Sequence, residues 1–287
     1  MKKSWLIMIA SLTIAFVAVV YVVWPYHALE RQAYLIANIY TGKAIITGQR
    51  DETRIPGFGR ALLDALKKVS GDPGISEEEM TAAAGPKLPE FVESYHEHDR
   101  MEGIPIHDEQ GTRDRSFDLV VDFHQGKGDR LLHELKRQPW LASRPEVPVL
   151  LVVHFDDNTY VLTADEEQGT DQRDAFIATA WQAGVPLALP LAEGLQSAGL
   201  DPGKLFPTAD VRVNDLRQRL RLDHLLVGSI SWKGGMRGWK AEWILNSNGT
   251  DHRWHIVDVN FDDAFRSAMR GVAKTLSGHG EPEADVP

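Results

Sequence analysis

The chain has 287 residues, 43% of them hydrophobic and 25% charged, which excludes disorder throughout and leaves room for one large domain or two small ones. Acidic residues outnumber basic ones 41 to 31, a net charge of -10, and no stretch gathers Lys and Arg into a face for a row of phosphates, so nucleic acid is not an expected partner. Cysteine is absent, which removes disulfides, thiolate metal sites, Cys nucleophiles and lipoprotein acylation together.

The first residues, MKKSWLIMIASLTIAFVAVVYVVW, supply an address: Trp5 to Trp24 run 20 positions without a charge. At about 1.5 Å per residue that is roughly 30 Å of helix, the thickness of a bilayer's hydrocarbon core. Trp5 at one end and Tyr21, Trp24 and Tyr26 at the other sit where aromatic belts form. Lys2 and Lys3 precede the span, while Arg31 beyond it is offset by Glu30. The positive-inside rule then places residues 1–4 in the cytoplasm, a single-pass inner-membrane anchor at 5–24, and everything from about Pro25 onward in the periplasm. The lipid bilayer is thus one expected partner. A cleaved signal peptide is the rival reading, but the apolar stretch exceeds the usual core of about 7 to 15 residues and no small-x-small site follows it.

Beyond the span, Tyr34 to Gly48 reads as extended structure. RIPGFGRALLDALKKVSGDPG changes period, with Phe58, Leu62, Ala65, Leu66 and Val69 forming a helical stripe opened by Pro56 and closed by Gly71. KLPEFVESY suggests a shorter helix with Leu88, Phe91, Val92 and Tyr95 on one side, FDLVVDF (Phe117 to Phe123) a strand, and Asp129 a cap for the helix DRLLHELKRQ. ASRPEVP (Ala142 to Pro148) looks like a hinge between a first subdomain, 30–140, and a second, 147–278. The second opens on Val149 to Val153, five apolar residues in a row, as expected of a strand buried on both faces.

Thr170 can cap a helix from Asp171 to Ala183, PLALPL is a short strand, and a helix from Ala209 to Leu222 precedes the strand DHLLVGSISW. Then comes a tryptophan-rich meander, Ser231 to Trp254, holding four of the eight tryptophans. Asn248-Gly249 is a strong hairpin signal that sets Trp243 opposite Trp254 and Ala241 opposite Ile256. Trp239, Ala241, Trp243, Trp254 and Ile256 then share one face, and Lys240, Glu242, Ile244, Arg253 and His255 the other, the pattern of a half-buried antiparallel sheet. The last helix carries Phe261, Phe265, Ala268, Met269, Val272 and Leu276 on one side, and the acidic tail 279–287 is expected to be disordered. The expected fold is α/β with α+β character: helices packed on a mixed sheet, a C-terminal antiparallel meander with a terminal helix, and one transmembrane helix in front.

Motifs for chemistry are sparse. GFGRAL has Leu62 where a dinucleotide fingerprint needs a third glycine, and Ser229 in LVGSI lies mid-strand without a nucleophile elbow's turn. DDNTYVLTADEE fails as a calcium loop at Tyr160 and Val161. The densest ligand cluster, YHEHDRMEGIPIHDE, offers His96, His98 and Asp108 for a transition metal, against the plainer reading of a solvated loop. The tryptophans pose a similar choice: the covered face of a sheet, or a platform for a glycan or a protein, with Trp232 and Trp239 beside the glycine loop KGGMRG as the binding candidates.

The segments VSGDP, GVPLALPL and LLVGSI with its Trp-rich meander resemble domain-of-unknown-function family 2066, uncharacterised bacterial envelope proteins, over about Tyr34 to Leu276. HLLVGSI also looks like a strand of TolB-type N-terminal domains and of outer-membrane penicillin-binding-protein activators, which are binding modules. The resemblance to family 2066 implies an envelope address and supplies no catalytic residues; members of that family often begin with a cleavable signal, from which the long anchor departs. The expectation is a non-catalytic binding or assembly module without a cofactor, its partner an envelope protein or peptidoglycan. The alternative is a metal-dependent hydrolase using His96, His98 and Asp108.

Overall fold

The computed structural model describes residues 29–103, 114–140, 144–201, 205 and 212–283. The anchor expected at Trp5–Trp24 lies outside them. Among the described residues no helix is long and apolar enough to cross a membrane.

Strands β1 (Arg31–Tyr34) and β2 (Thr41–Thr47) come from the stretch expected to be extended, yet they enter different sheets. Helix α1 (Asp51–Ser70) begins five residues before Pro56, because Asp51 and Glu52 suit its positive end and a single Pro removes only one donor. Gly71, at φ 72°, closes it by donating its N–H to the carbonyl of Lys67. The glycines of GFGRAL are helical: a Cβ at Gly57 would stand 2.5 Å from Ile46 Cγ2, so glycine lets α1 press onto the sheet.

Helix α2 (Glu77–Ala84) carries a capping box between Ser76 and Glu79. KLPEFVESY does not form the expected helix. It makes one turn, α3 (Leu88–Phe91), and then strand β3 (Val92–Asp99), because pairing with β4 (Ser116–Phe123) satisfies its backbone through Tyr95↔Val121 and Glu97↔Leu119. Helix α4 (Gln125–Glu134) starts before Asp129, which is not a cap; its carboxylate accepts the hydroxyl of Tyr40 at 2.8 Å.

The order β2-β4-β3 forms a three-stranded antiparallel sheet. Ile46, Leu119, Val121 and Phe123 pack there against Phe58, Leu62, Leu66 and Leu131 of the helices.

The remaining strands are β5 (Val147–Phe155), β6 (Asn158–Val161), β7 (Leu187–Pro190), β8 (His224–Trp232), β9 (Trp239–Ser247) and β10 (Thr250–Val259). With β1 they form a seven-stranded mixed sheet of order β1-β7-β5-β8-β9-β10, β6 pairing with β5 beside β7. β5 runs parallel to β7 and β8, while β8, β9 and β10 form an antiparallel meander. Helices α5 (Thr170–Ala183) and α8 (Phe261–Leu276) cover one face; α6 (Ala192–Ser197) and α7 (Val213–Arg219) lie on the other. Thr170 is the first residue of α5 and not its cap, which is Gly169.

Val149, Leu151 and Val153 enter the core under α5 and α8, and Leu150 and Val152 the core under α7, so β5 is buried on both faces as its run of apolar residues predicts. The hairpin at Asn248 (φ 51°) and Gly249 (φ 89°) fixes the expected register, Trp243↔Trp254 and Ala241↔Ile256. The other face of the meander is less polar than expected, for Ile244 and Asn246 are buried where α7 covers the hairpin end.

Trp243 is 1% exposed and lies over Gly228 of β8, where a Cβ would fall 2.1 Å from its ring. Trp243→Ala should destabilise the chain by about 3 to 5 kcal/mol through the cavity it leaves, and Gly228→Ala by about 1 to 3 kcal/mol through overpacking. Denaturant unfolding measures both; a wild-type midpoint in Trp243→Ala would show that the ring is not core.

Candidate functional site

The register of the central strands carries one row of side chains past the end of the core. Phe155↔Trp232 closes the β5–β8 ladder, and Ser231↔Lys240 puts Trp239 next to Trp232 on β9. By the period-two alternation these rings share the face of Val153, Ile230 and Ala241, one step beyond them. Phe155 stacks on Trp232 with centroids 5.2 Å apart at 19°, and on Trp239 at 5.8 Å and 24°. Trp239 meets Phe261 edge-on at 6.4 Å, and Phe261, Phe265 and Phe176 continue the contact inward to Trp243.

Phe155 is nevertheless 45% exposed and Met236 in the adjoining loop 39%, while Trp232 is half-buried and Trp239 9% exposed. The result is an aromatic ledge whose inner end is core and whose outer end is surface.

Two loops frame it. Asp156, at φ 51°, donates its N–H to the carbonyl of Trp232 at 2.9 Å, and its carboxylate accepts the N–H of Gly234 at 2.9 Å. The β5–β6 turn is thereby tied to the glycine loop that follows β8. The ledge lies at the C-terminal ends of two adjacent parallel strands, where β5 turns back into β6 on one side and β8 into β9 on the other. Ligands of open α/β sheets collect outside the carboxyl ends of the strands.

Trp232 and Trp239, the binding candidates, are thus brought together, and both touch Phe155, which the sequence reading passed over. Its signal was the alternation Val149, Leu151, Val153, Phe155, but its partner Trp232 is 77 residues away in the chain, as the Phe155↔Trp232 register shows. His96 and His98 alternate on β3 and point to the uncovered face of the small sheet, opposite Val120 and Asp118, with both rings exposed and His98 Nδ1 3.6 Å from Glu102. Asp108 lies outside the described residues. Among those described, no group of three or more His, Asp and Glu is placed to hold a metal.

A second constellation joins the two sheets. Lys68 of α1 is fully buried; its ammonium donates to the carbonyl of Thr41 at 2.6 Å, stands 3.8 Å from Asp64 and lies 3.4 Å from the ring centre of Trp181 on α5. Burial lowers the ammonium to about 8 against the pull of Asp64, and burial likewise raises the Asp64 carboxyl. Arg144, from the segment read as a hinge, donates to Gly184 O at 2.6 Å, Lys68 O at 2.7 Å and Val69 O at 3.0 Å. Burial brings its guanidinium down to about 10. The Arg144 guanidinium sits on the C-terminal carbonyls of α1 and α5, where helix dipoles favour a cation, while the Lys68 ammonium is held by the Thr41 carbonyl of β2.

Fold and ledge together define an α/β protein with an open aromatic surface at its central strands. The model of a family described as Domain of unknown function (DUF8605) matches residues 33–141. This corrects the resemblance to family 2066 and to TolB-type domains. The segments behind that resemblance are helix closures and buried strands: VSGDP ends α1, GVPLALPL ends α5 and forms β7, and LLVGSI is the middle of β8. Such punctuation recurs in any α/β fold and marks no one family. No curated protein matches the chain. The ledge residues lie beyond the matched stretch; His96 and His98 lie within it.

The buried Lys68 has a measurable consequence. Its folded form gives up the proton near pH 8, the unfolded chain only near pH 10.4. Between those values the unfolded state binds more protons, so this residue makes stability rise with pH across the window. The unfolding free energy of wild type relative to Lys68→Met should increase from pH 8 to pH 10; a pH-independent difference would show that the cation is not held as described.

Proposed function

We propose that the chain is a membrane-anchored envelope protein whose region beyond the membrane is a non-catalytic module that binds cell-wall glycan on the aromatic ledge. The observation that carries this reading is Phe155, left 45% exposed while stacked on two indoles, although three apolar rings together normally stay covered. A pyranose ring presents a face of C–H groups and a rim of hydroxyls. Phe155, Trp232 and Met236 fit the first, and the exposed Asp156, Asp157 and Asn158 beside them fit the second. The membrane address is supported by the uncharged run Trp5–Trp24 and by Lys2 and Lys3 before it.

Phe155→Ala tests the ledge without opening the core. Its cost in stability should be about 1 kcal/mol or less, a shift of roughly 2 to 4 °C in Tm. Sedimentation of the purified full chain with isolated peptidoglycan should weaken by at least about tenfold. Unchanged sedimentation of the variant, or none for wild type, would refute the glycan reading; an envelope protein that cross-links to wild type and not to Phe155→Ala would transfer the ledge to a protein partner. The metal-dependent hydrolase alternative rests on His96, His98 and Asp108, of which the two histidines share a face of β3. Metal analysis of the full chain should find no stoichiometric zinc; one equivalent, lost in the His96→Ala, His98→Ala double variant, would displace the binding reading.

A further inference from the structure

On the side of the molecule where α8 faces the C-terminal end of α1, a groove of about 260 Å³ runs between the Pro73-Gly74 turn and α8 and adjoins a cavity of about 130 Å³ that reaches α5. Lys67 from α1 and Arg270 and Lys274 from α8 line the groove, and Arg266, one turn before Arg270, lines the adjoining cavity with Lys67 and Arg270. Three cations in one groove, and a fourth in the cavity beside it, run against a chain of net charge -10. They also crowd one another, since burial and then the neighbouring Arg270 hold the Lys67 ammonium below its ordinary range. Asp64 lines the adjoining cavity, where Arg266 is paired to Asp263 on its own helix, and Glu283 is the acidic group lining the groove.

The residues that follow α8, up to Glu283, run along this groove. After α8 the backbone reverses at Gly278 (φ 81°) and His279 donates its N–H to the carbonyl of Lys274. The segment then runs back beside α8. Glu281 reaches His252 of β10 at 2.6 Å, Pro282 comes beside Gly271, and Glu283 meets Lys274 at 2.7 Å at the mouth of the groove. Gly271 has no side chain to block that approach. Both carboxylates remain about three-quarters exposed, 74% for Glu281 and 78% for Glu283. Ion pairs that exposed are weak and easily screened, so the segment occupies the groove without being locked into it.

We propose that the groove between α1 and α8 is a docking site for an extended acidic peptide of a partner protein, and that residues Glu281–Glu283 occupy it in cis until displaced. The occupant's chemistry follows from the segment already there: carboxylates spaced two residues apart in an extended chain, with a small apolar residue between them to lie on Gly271. Lys274 and His252 take the two carboxylates, and Lys67 and Arg270 supply the field deeper in the groove. This site is independent of the aromatic ledge, which lies at the strand ends.

A labelled peptide copying residues 279–287, HGEPEADVP, is the probe, with fluorescence anisotropy at low salt as the readout. A chain ending at Gly280 should bind it at least about tenfold more tightly than the full chain, because the tethered segment competes at an effective concentration in the millimolar range. The full-length Glu281→Gln, Glu283→Gln variant should bind like the shortened chain, which separates an emptied groove from a damaged fold. Lys67→Glu with Lys274→Glu in the shortened chain should abolish binding, as should about 1 M salt, where screening lengths fall to about 3 Å. Equal binding by full and shortened chains, no binding by either, or unchanged binding in a Lys67→Glu, Lys274→Glu variant that melts like its parent would overturn the proposal. Pyrophosphate displacing the peptide at lower concentration than unlabelled peptide would overturn it too, assigning the groove to small anions.

Discussion

Strand β5 has no solvent-facing side, and that constraint organises everything around it. Seven residues from Val147 to Val153 are buried, alternate ones under α5 and α8 and the rest under α7. A strand in that position must be paired along both edges, because an unmet backbone N–H there would cost about 1 to 3 kcal/mol. β8 supplies one edge and β6 and β7 share the other. Helices are then required on both faces, and the sheet becomes the middle of three layers. Where β5 leaves the core the same register continues for one more step, and that step is Phe155 against Trp232.

Among the described residues the two sheets meet through helix ends and cations, and their buried apolar residues form separate clusters. Arg144 bridges the last carbonyls of α1 to that of Gly184 after α5, and Lys68 and Lys43 both lie against the indole of Trp181, at 3.4 and 4.2 Å. A buried cation carries a desolvation penalty, so this junction is held by carbonyl dipoles and one aromatic face that together meet that penalty. It also brings the C-terminal turn of α1 beside α8, where Ser277 donates to the carbonyl of Gly71 at 3.2 Å. The basic groove exists because of that docking, since Lys67 and Arg270 come from helices about 200 residues apart in sequence, as the Gly71–Ser277 contact shows.

How much of the candidate site was legible varied with the range of the interaction that makes it. The Trp243–Trp254 pairing followed from a two-residue turn, because Asn248 and Gly249 accept positive φ and set the register locally. Trp232 and Trp239 could be named because six residues of glycine-rich loop separate them. Phe155 could not, since its place depends on a parallel pairing that no turn encodes. The helix expected through Tyr95 failed for the same reason: the spacing of Leu88, Phe91, Val92 and Tyr95 is helical, but β4 offers a ladder that this spacing does not reveal. The histidine pair was legible as a pair, and β3 confirms that His96 and His98 share a face, yet a third ligand is a matter of what stands opposite.

By itself the sequence determined the class of the fold, the double burial of β5, the hairpin register, the closure of α1 at Gly71 and of α5 at Gly184, and the apolar stripe of α8. Each rests on periodicity or turn chemistry within about a dozen residues, where backbone geometry leaves few choices. Tertiary structure alone decided that β1 joins the large sheet, that Phe155 completes the ledge, that Arg144 clasps two helix ends, and that Pro282 and Glu283 lie along a basic groove. Those features join residues from distant parts of the chain, and such contacts depend on how whole surfaces pack, which no local pattern records.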